Sequence, residues 1–340
     1  MERSEKISSR STSTLHTVSF VIPHKGRETM LIQTLASIAA QDQTGFAVDV
    51  IVVTNNITPL TIPDELQEKL TLSILQAPDT VTISAQRNRG VALSKATYLA
   101  FIDADIQLSN NWLQILFSAL HKNNRVLVSA HQQAPLNALI LEHIRTSLSN
   151  VELDTNVTFL PGRNLFLRRS HCDMVGGFPE HLATCEDYYF TQSLSQIGPC
   201  FYSSDTAYIH LGEDKILHEM YRKEIWRGQS NIASLKGRKL PLREVPSFII
   251  PLYLVITFSI ATVCLMSFAI TTLTLPLIIG CSALIGFIIP FLAYCIRLIR
   301  LVPQCVSWWD VVKFYSVYFP ARAIGTIRGS FYSITTDSHV

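Results

Sequence analysis

Asp103 and Asp105, closing the stretch Tyr98-Leu-Ala-Phe-Ile-Asp-Ala-Asp, are the pair in this chain best suited to chemistry. The apolar run before them reads as a short buried strand. On an extended backbone, residues i and i+2 face the same side, so the spacing predicts two carboxylates projecting together from a strand's end. Ligands of open α/β sheets bind at that end. Two like charges so placed repel unless a cation lies between them. Oxygen donors of this kind suit Mg²⁺ or Mn²⁺, ions that bind through one or two carboxylates plus substrate phosphates. The plainer reading is a strand end with an Asp cap on a helix opening near Asn110, Asn111 and Trp112.

Such a pair needs a sheet to position it. Residues 18–22 (ended by Pro23), 48–53, 70–75 and 98–102 read as strands. Residues 29–41, with Met30, Leu31, Leu35 and Ile38 at helical spacing, and 84–94 read as helices. Uniformly apolar strands alternating with helices predict an α/β domain whose mostly parallel sheet is covered on both faces. Further along, 112–123 predicts a helix, 126–130 a strand, and 159–167 a strand interrupted at Pro161-Gly162. A turn at 176–180 follows, and Glu186-Asp187 opens a helix over 188–196. The basic segment 215–240 carries apolar residues at helical spacing and predicts a helix lying on a membrane surface.

Of the 340 residues, 48% are hydrophobic and 16% charged, and the apolar excess is concentrated: residues 245–296 contain no Asp, Glu, Lys or Arg. About fifty such residues at about 1.5 Å each run about 75 Å, against about 30 Å of hydrocarbon. The length predicts two spans, 247–269 and 275–296, turning near Leu273, Thr274 and Pro276. Arg238, Lys239 and Arg243 before the pair, with Arg297 and Arg300 after it, predict a cytoplasmic location for both outer ends and the amino-terminal domain. Mixed aromatic and basic residues over 307–334 predict an interfacial helix, and Gly325-x-x-x-Gly329 lies outside the spans, so it is not read as a dimerisation motif. The Ser/Thr-rich residues 1–17 predict a disordered leader and no secretory signal. Seven cysteines without a C-x-x-C pair fit a reduced compartment, and neither a zinc cluster nor a disulfide framework. A net charge of +2 with no basic-aromatic motif points to no nucleic-acid partner. Spans without an ionisable residue disfavour a transporter.

Over residues 17–235 the order of motifs resembles the inverting, nucleotide-sugar-dependent glycosyltransferases of family 2, which have the GT-A fold. The carriers are the opening strand and loop from Val18 through Pro23-His24-Lys-Gly-Arg27-Glu28, and the second strand ending Thr54-Asn55-Asn56. They continue with Gln86-Arg87-Asn88-Arg89-Gly90 before Asp-x-Asp, Pro161-Gly-Arg-Asn164, Gly176-Gly-Phe-Pro-Glu180 and Cys185-Glu186-Asp187. The resemblance implies a GT-A catalytic domain with a donor site of Pro23, His24, Glu28, Thr54, Asn55, Arg87, Asn88 and Asp103. It implies Asp105 as the direct ligand of Mg²⁺ or Mn²⁺, with Asp103 nearer the ribose; His210, after a strand-like run, is a candidate to complete the metal or phosphate site, a structural histidine being the alternative. Asp187 matches the family's general base, and Asn164, Glu186, Arg222 and Arg227 are candidates for acceptor or phosphate contacts. A pyrophosphate leaving group calls for a cation, and inversion calls for a base on the acceptor hydroxyl.

The chain also departs from the pattern. Lys25 and Gly26 stand where many relatives carry an aromatic and an Asn, and Thr54 stands where an Asp commonly reads uracil. Processive relatives carry Gln-x-x-Arg-Trp, where this chain has Glu224-Ile-Trp-Arg-Gly228. The expectation is a non-processive, membrane-anchored transferase with its catalytic domain at 18–214, an interfacial region at 215–244, two spans at 245–297 and an interfacial tail at 301–340. Its expected partners are a nucleotide-diphosphate sugar, a lipid-linked or cell-envelope glycan acceptor, and the membrane. The alternatives are transfer to a polyprenyl phosphate and a catalytically idle protein that binds nucleotide sugar.

Overall fold

The computed structural model describes residues 15–182, 184–229 and 245–336, with side chains through 330. The first half runs β1 (His16–His24), α1 (Glu28–Ala39), β2 (Phe46–Thr54), α2 (Asp64–Lys69), β3 (Thr71–Gln76), α3 (Ile83–Leu93) and β4 (Tyr98–Ile102). Then come β5 (Ile106–Leu108), α4 (Trp112–Leu120), β6 (Leu127–Gln133), α5 (Ile140–Ser149), β7 (Thr155–Val157), β8 (Asn164–Arg168) and α6 (Arg169–Met174). The chain continues through α7 (Glu186–Ile197), β9 (Cys200–His210), α8 (Leu217–Gly228), α9 (Val245–Thr271), α10 (Thr274–Ile299) and α11 (Trp308–Thr336).

One sheet of order β3-β2-β1-β4-β8-β6-β9-β5, with β7 also on β9, organises the domain. Its first four strands are parallel, and β8 enters antiparallel between β4 and β6, so the sheet is mixed beyond β4. The period of two sorts side chains between the faces. Phe20 and Ile22 of β1 join Leu31 and Leu35 of α1 and Trp112 and Leu116 of α4 in one core. Val21, with Phe101 of β4, meets Val91 of α3 and Phe190 and Leu194 of α7 in the other.

Several boundaries differ from expectation. β1 begins at His16, inside the expected leader, and continues through Pro23 to pair His24 with Thr54. Proline lacks a donor, but the pairing of β1 with β4 ends at Val21, so at Pro23 only β2 flanks the strand. Of the expected strand at 159–167, only Asn164–Arg168 forms, because Pro161-Gly162 turns the chain before it. β7 was hidden by its three-residue length and mixed composition. Residues 1–14 of the leader and Arg238, Lys239 and Arg243 lie outside the described residues.

α9 and α10, of 27 and 26 residues and mean hydropathy 2.4, form an antiparallel pair, each long and apolar enough to cross a membrane. Thr272, at φ 55°, makes the turn between them. α11 crosses the base of this hairpin, packing Phe314, Tyr315 and Phe319 against Leu254 of α9 and Cys295 and Leu298 of α10. It also runs along α8, where a Cβ on Gly325 would lie 2.9 Å from the Cα of Gly228. The Gly325-x-x-x-Gly329 spacing thus serves helix contact within one chain: small residues let two backbones approach where any larger side chain would separate them.

Candidate active site

Four strands deliver their carboxyl ends or following turns to one place. The chain leaves β4 in a tight turn, so Asp103 and Asp105 are carried by the turn into β5 rather than by an extended strand. β5 pairs with β9 in the register Ile106↔His210, which sets His210 beside that turn. The two carboxylates do not share one partner. Asp103 Oδ1 accepts from Arg87 Nη2 at 2.8 Å, whereas Asp105 Oδ2 accepts from Arg27 Nη1 at 2.7 Å and lies 3.4 Å from His210 Nε2. Their repulsion is relieved by separate cationic side chains. Asp105 is buried, which alone would raise its pKa, but His210, Arg27 and Arg163 outweigh burial and bring it down to about 2. Burial likewise opposes charge on His210, and the carboxylates of Asp105 and Glu213 outweigh it, raising the pKa above its usual value.

At the ends of β1 and β2, His24 Nδ1 lies 3.0 Å from Thr54 Oγ1, and burial lowers the imidazole's pKa. Gln86 Nε2 donates to the carbonyls of His24 and Val53 and to Asn55 Oδ1, locking the two strand ends together. Asn55 Nδ2 donates to Val81 O at 2.9 Å, and Glu28 Oε1 accepts from the Thr61 amide at 2.7 Å. Arg27, at φ 49°, stands at the amino end of α1 in the left-handed region that non-glycine residues rarely occupy.

The opposite wall comes from the start of α7. Cys185, at φ 65°, reverses the chain before the helix. Glu186 Oε1 accepts from Arg87 Nη1 at 3.0 Å, and Asp187 Oδ2 accepts from the Gly162 amide at 3.1 Å. Burial, then the neighbouring Asp187 charge, pushes the Glu186 carboxyl up to about 6. Asp187 is also raised, chiefly by burial, against the Gly162 hydrogen bond and the Arg87 charge. Arg87 is only 1% exposed and stacks 4.8 Å over Phe178. Its single guanidinium joins Asp103 of the turn to Glu186 of α7, so the two walls are held at a fixed separation.

Some expected site residues sit elsewhere. Asn164 is fully buried: Oδ1 accepts from Trp112 Nε1 at 2.7 Å, and Nδ2 donates to Ser129 Oγ and the Ala130 carbonyl. It pins β8 to β6 and α4 inside the core. Asn88 faces the 176–180 turn, with its amide bonded to Phe178 and Glu180. Arg227 pairs with Glu224 at 2.6 Å and Asp214 at 3.5 Å, while Arg222 is exposed on α8. Arg227 is thus part of a structural ion cluster, in which Glu224 also meets Arg145 at 3.1 Å and Arg322 at 2.7 Å. Residues that motif reading missed are Arg27, Arg145, Arg163, Glu213, Asp214 and Arg322. Arg27 and Arg163 lie inside the quoted motifs, and Glu213-Asp214 follows His210 by three positions, which was the available signal.

Among the described residues no group of three or more His, Cys, Asp or Glu could hold a metal. Asp105 Oδ2 and His210 Nε2, 3.4 Å apart, nevertheless fit as two ligands of an ion whose remaining positions go to water and phosphate. A carboxylate with an imidazole suits Mn²⁺ better than the oxygen-seeking Mg²⁺. A Cβ on Gly212 would collide with Asp105 Oδ2 and Arg27, so glycine keeps the space beside that carboxylate open.

Residues 19–175 match the family described as "Glycosyl transferase family 2". Over 259 residues the chain is 25% identical to glycosyltransferase AglE of Haloferax volcanii, covering 73% of this chain and 83% of that one. Its fold is similar to that of mannosyltransferase PcManGT from Pyrobaculum calidifontis, solved in complex with GDP-Man and Mn²⁺. The TM-score is 0.58 at 14% identity, over 91% of this chain and 86% of that one.

Proposed function

We propose that this chain, whose residues 19–175 match the family 2 glycosyltransferases, moves a sugar, with inversion, from a nucleotide diphosphate to an acceptor held at a membrane surface. The observation that carries this reading is Arg87 bridging Asp103 and Glu186, because it sets a donor wall and an acceptor wall on either side of one cation. Asp105 and His210 would hold a divalent ion, Mn²⁺ or Mg²⁺. Such an ion, when bound, neutralises charge developing on a leaving pyrophosphate. The ends of β1 and β2, at His24, Thr54 and Asn55, are where the nucleoside would rest, and Asp103 would be nearer the ribose.

Asp187 acts as the base. Its Oδ2 is oriented by the Gly162 amide, and its raised pKa gives it more affinity for the acceptor's proton than an ordinary surface carboxylate has. Glu186 stays anchored to Arg87 and so orients the start of α7. The acceptor is a lipid-linked or cell-envelope glycan precursor, because α9 and α10 would cross the bilayer while α8 and α11 lie between them and the catalytic domain. In this reading the flanking arginines and lysine keep the catalytic domain on the cytoplasmic side.

The test is a donor panel with the full-length protein in detergent, GDP-mannose and UDP sugars included, with and without Mn²⁺. At least one donor should bind in a metal-dependent manner and be transferred or slowly hydrolysed. Asp105→Asn should lose both metal-dependent binding and turnover. Binding that ignores metal and Asp105, with no turnover of any donor, would instead describe a catalytically idle protein.

A further inference from the structure

We propose that Glu213 is a positioning residue that selects the tautomer of His210, and thereby decides whether the Nε2 lone pair is offered beside Asp105. This rests on the reading of Asp105 and His210 as ligands of one divalent ion. His210 Nδ1 has two polar neighbours of opposite demand. Glu213 Oε2, 3.0 Å away, can only accept a proton; Arg163 Nη1, 3.2 Å away, can only donate one. Both cannot be satisfied by the same nitrogen. If Nδ1 accepts from Arg163, the neutral ring carries its proton on Nε2 and directs an N–H at Asp105 Oδ2. If Nδ1 of the neutral ring donates to Glu213, the lone pair is on Nε2, the only arrangement in which that nitrogen can bind a cation once any proton it shares with Asp105 has left.

Glu213 is built to hold its side of this choice. It is 5% exposed, and neighbours from three parts of the fold fix its carboxylate. Gln132 Nε2 of β6 donates to Oε2 at 3.2 Å, the Asp214 amide donates to Oε1 at 3.1 Å, and Arg145 Nε of α5 donates to Oε1 at 3.4 Å. β6 pairs in parallel with β9 next to His210, so the carboxylate and the imidazole are referred to the same sheet. Arg163 is tethered by Ser149 Oγ, which accepts from Nη2 at 3.2 Å, and its Nη1, 3.7 Å from Glu213 Oε2, is ion-paired with the same carboxylate. Glu213 therefore competes with a fixed guanidinium for Nδ1, and removing its charge hands that nitrogen to Arg163.

The experiment uses the full-length chain in detergent with Mn²⁺ and GDP, and separately Mn²⁺ and UDP. Pulsed EPR reads whether an imidazole nitrogen is bound directly to the manganese, and a titration reads Mn²⁺ affinity. Wild type should show the nitrogen coupling, and His210→Ala should not. Glu213→Gln should weaken Mn²⁺ binding by about 10- to 100-fold, the usual effect of a lost partner behind a ligand, and should lose the coupling. Adding Arg163→Met to Glu213→Gln should restore the coupling, a rescue that a merely structural role for Glu213 would not produce. If Glu213→Gln does not fold, Glu213→Asp, which withdraws the same charge by one methylene, is read the same way. Wild-type coupling and affinity in Glu213→Gln overturn the proposal while leaving His210 as a ligand. Absence of coupling in wild type overturns it by removing His210 from the metal altogether.

Discussion

Replacing Arg87 by Met should damage both the stability of the domain and the pH dependence of its turnover. In the native protein this guanidinium, 1% exposed, contacts Asp103 at 2.8 Å and Glu186 at 3.0 Å and lies close enough to Asp187 to lower its pKa. Methionine fills similar volume over Phe178 but leaves these carboxylates without their cation. Breaking a buried ion pair by removing one partner typically costs about 3–5 kcal/mol, a large part of the roughly 5–15 kcal/mol that holds a domain together. A unit charge at about 4 Å and an effective dielectric of about 20 is worth about 4 kcal/mol, or at most about three pKa units. Glu186, already raised to about 6, and Asp187, also raised, should therefore titrate at still higher pH. Because Asp187 must be ionised to accept a proton, the acidic limb of kcat/KM should move upward by on the order of one to three units. Denaturant unfolding and a pH–rate profile of Arg87→Met measure the two effects, and Arg87→Lys should recover part of the first but little of the second, since one ammonium cannot span both partners. An unchanged acidic limb in a folded Arg87→Met protein would refute the role assigned to this residue, whatever happens to stability.

Glu224 is a buried carboxylate among Arg145, Arg227 and Arg322; burial opposes its charge, but the three guanidinium groups outweigh it and hold its pKa near 2. A depressed folded-state pKa gives stability that is full above the unfolded value and is lost as pH falls from about 4.5 toward 2, worth about 3 kcal/mol; Glu224→Gln should be less stable at pH 7 and show a shallower loss of stability over that window. Gly325→Leu should force α11 away from α8, where the added Cβ would meet Ile225 O and the Gly228 Cα, and lower stability by about 1–3 kcal/mol or more in thermal melts.

The first half of the fold was legible because β4 is uniformly apolar, β1 and β2 are mostly so, and α1 is periodic, so local pattern and tertiary role agree. The Asp-x-Asp turn and the start of α7 were likewise visible as residue types next to those elements. What local reading missed is long-range. Arg27 and Asp105 are 78 positions apart, and Arg87 and Glu186 are 99 apart, so nothing in spacing pairs them. Asn164 illustrates the converse: its place in a family-like motif gave no sign of the bonds it makes to Trp112, Ser129 and Ala130 in the core. Glu213 was overlooked because a carboxylate three residues after a histidine has meaning only once β9 and β6 are seen side by side.

The proposed role of Asp187, turning a nucleotide-sugar pocket into a catalyst, is tested by Asp187→Asn. With a donor from the panel and an extract-derived lipid acceptor, the variant should bind donor and Mn²⁺ as wild type does, while kcat for transfer falls by about 10²- to 10⁴-fold, the range of a lost general base. Near-normal transfer by Asp187→Asn would contradict the account, and would favour an acceptor such as a polyprenyl phosphate whose attacking oxygen is already anionic.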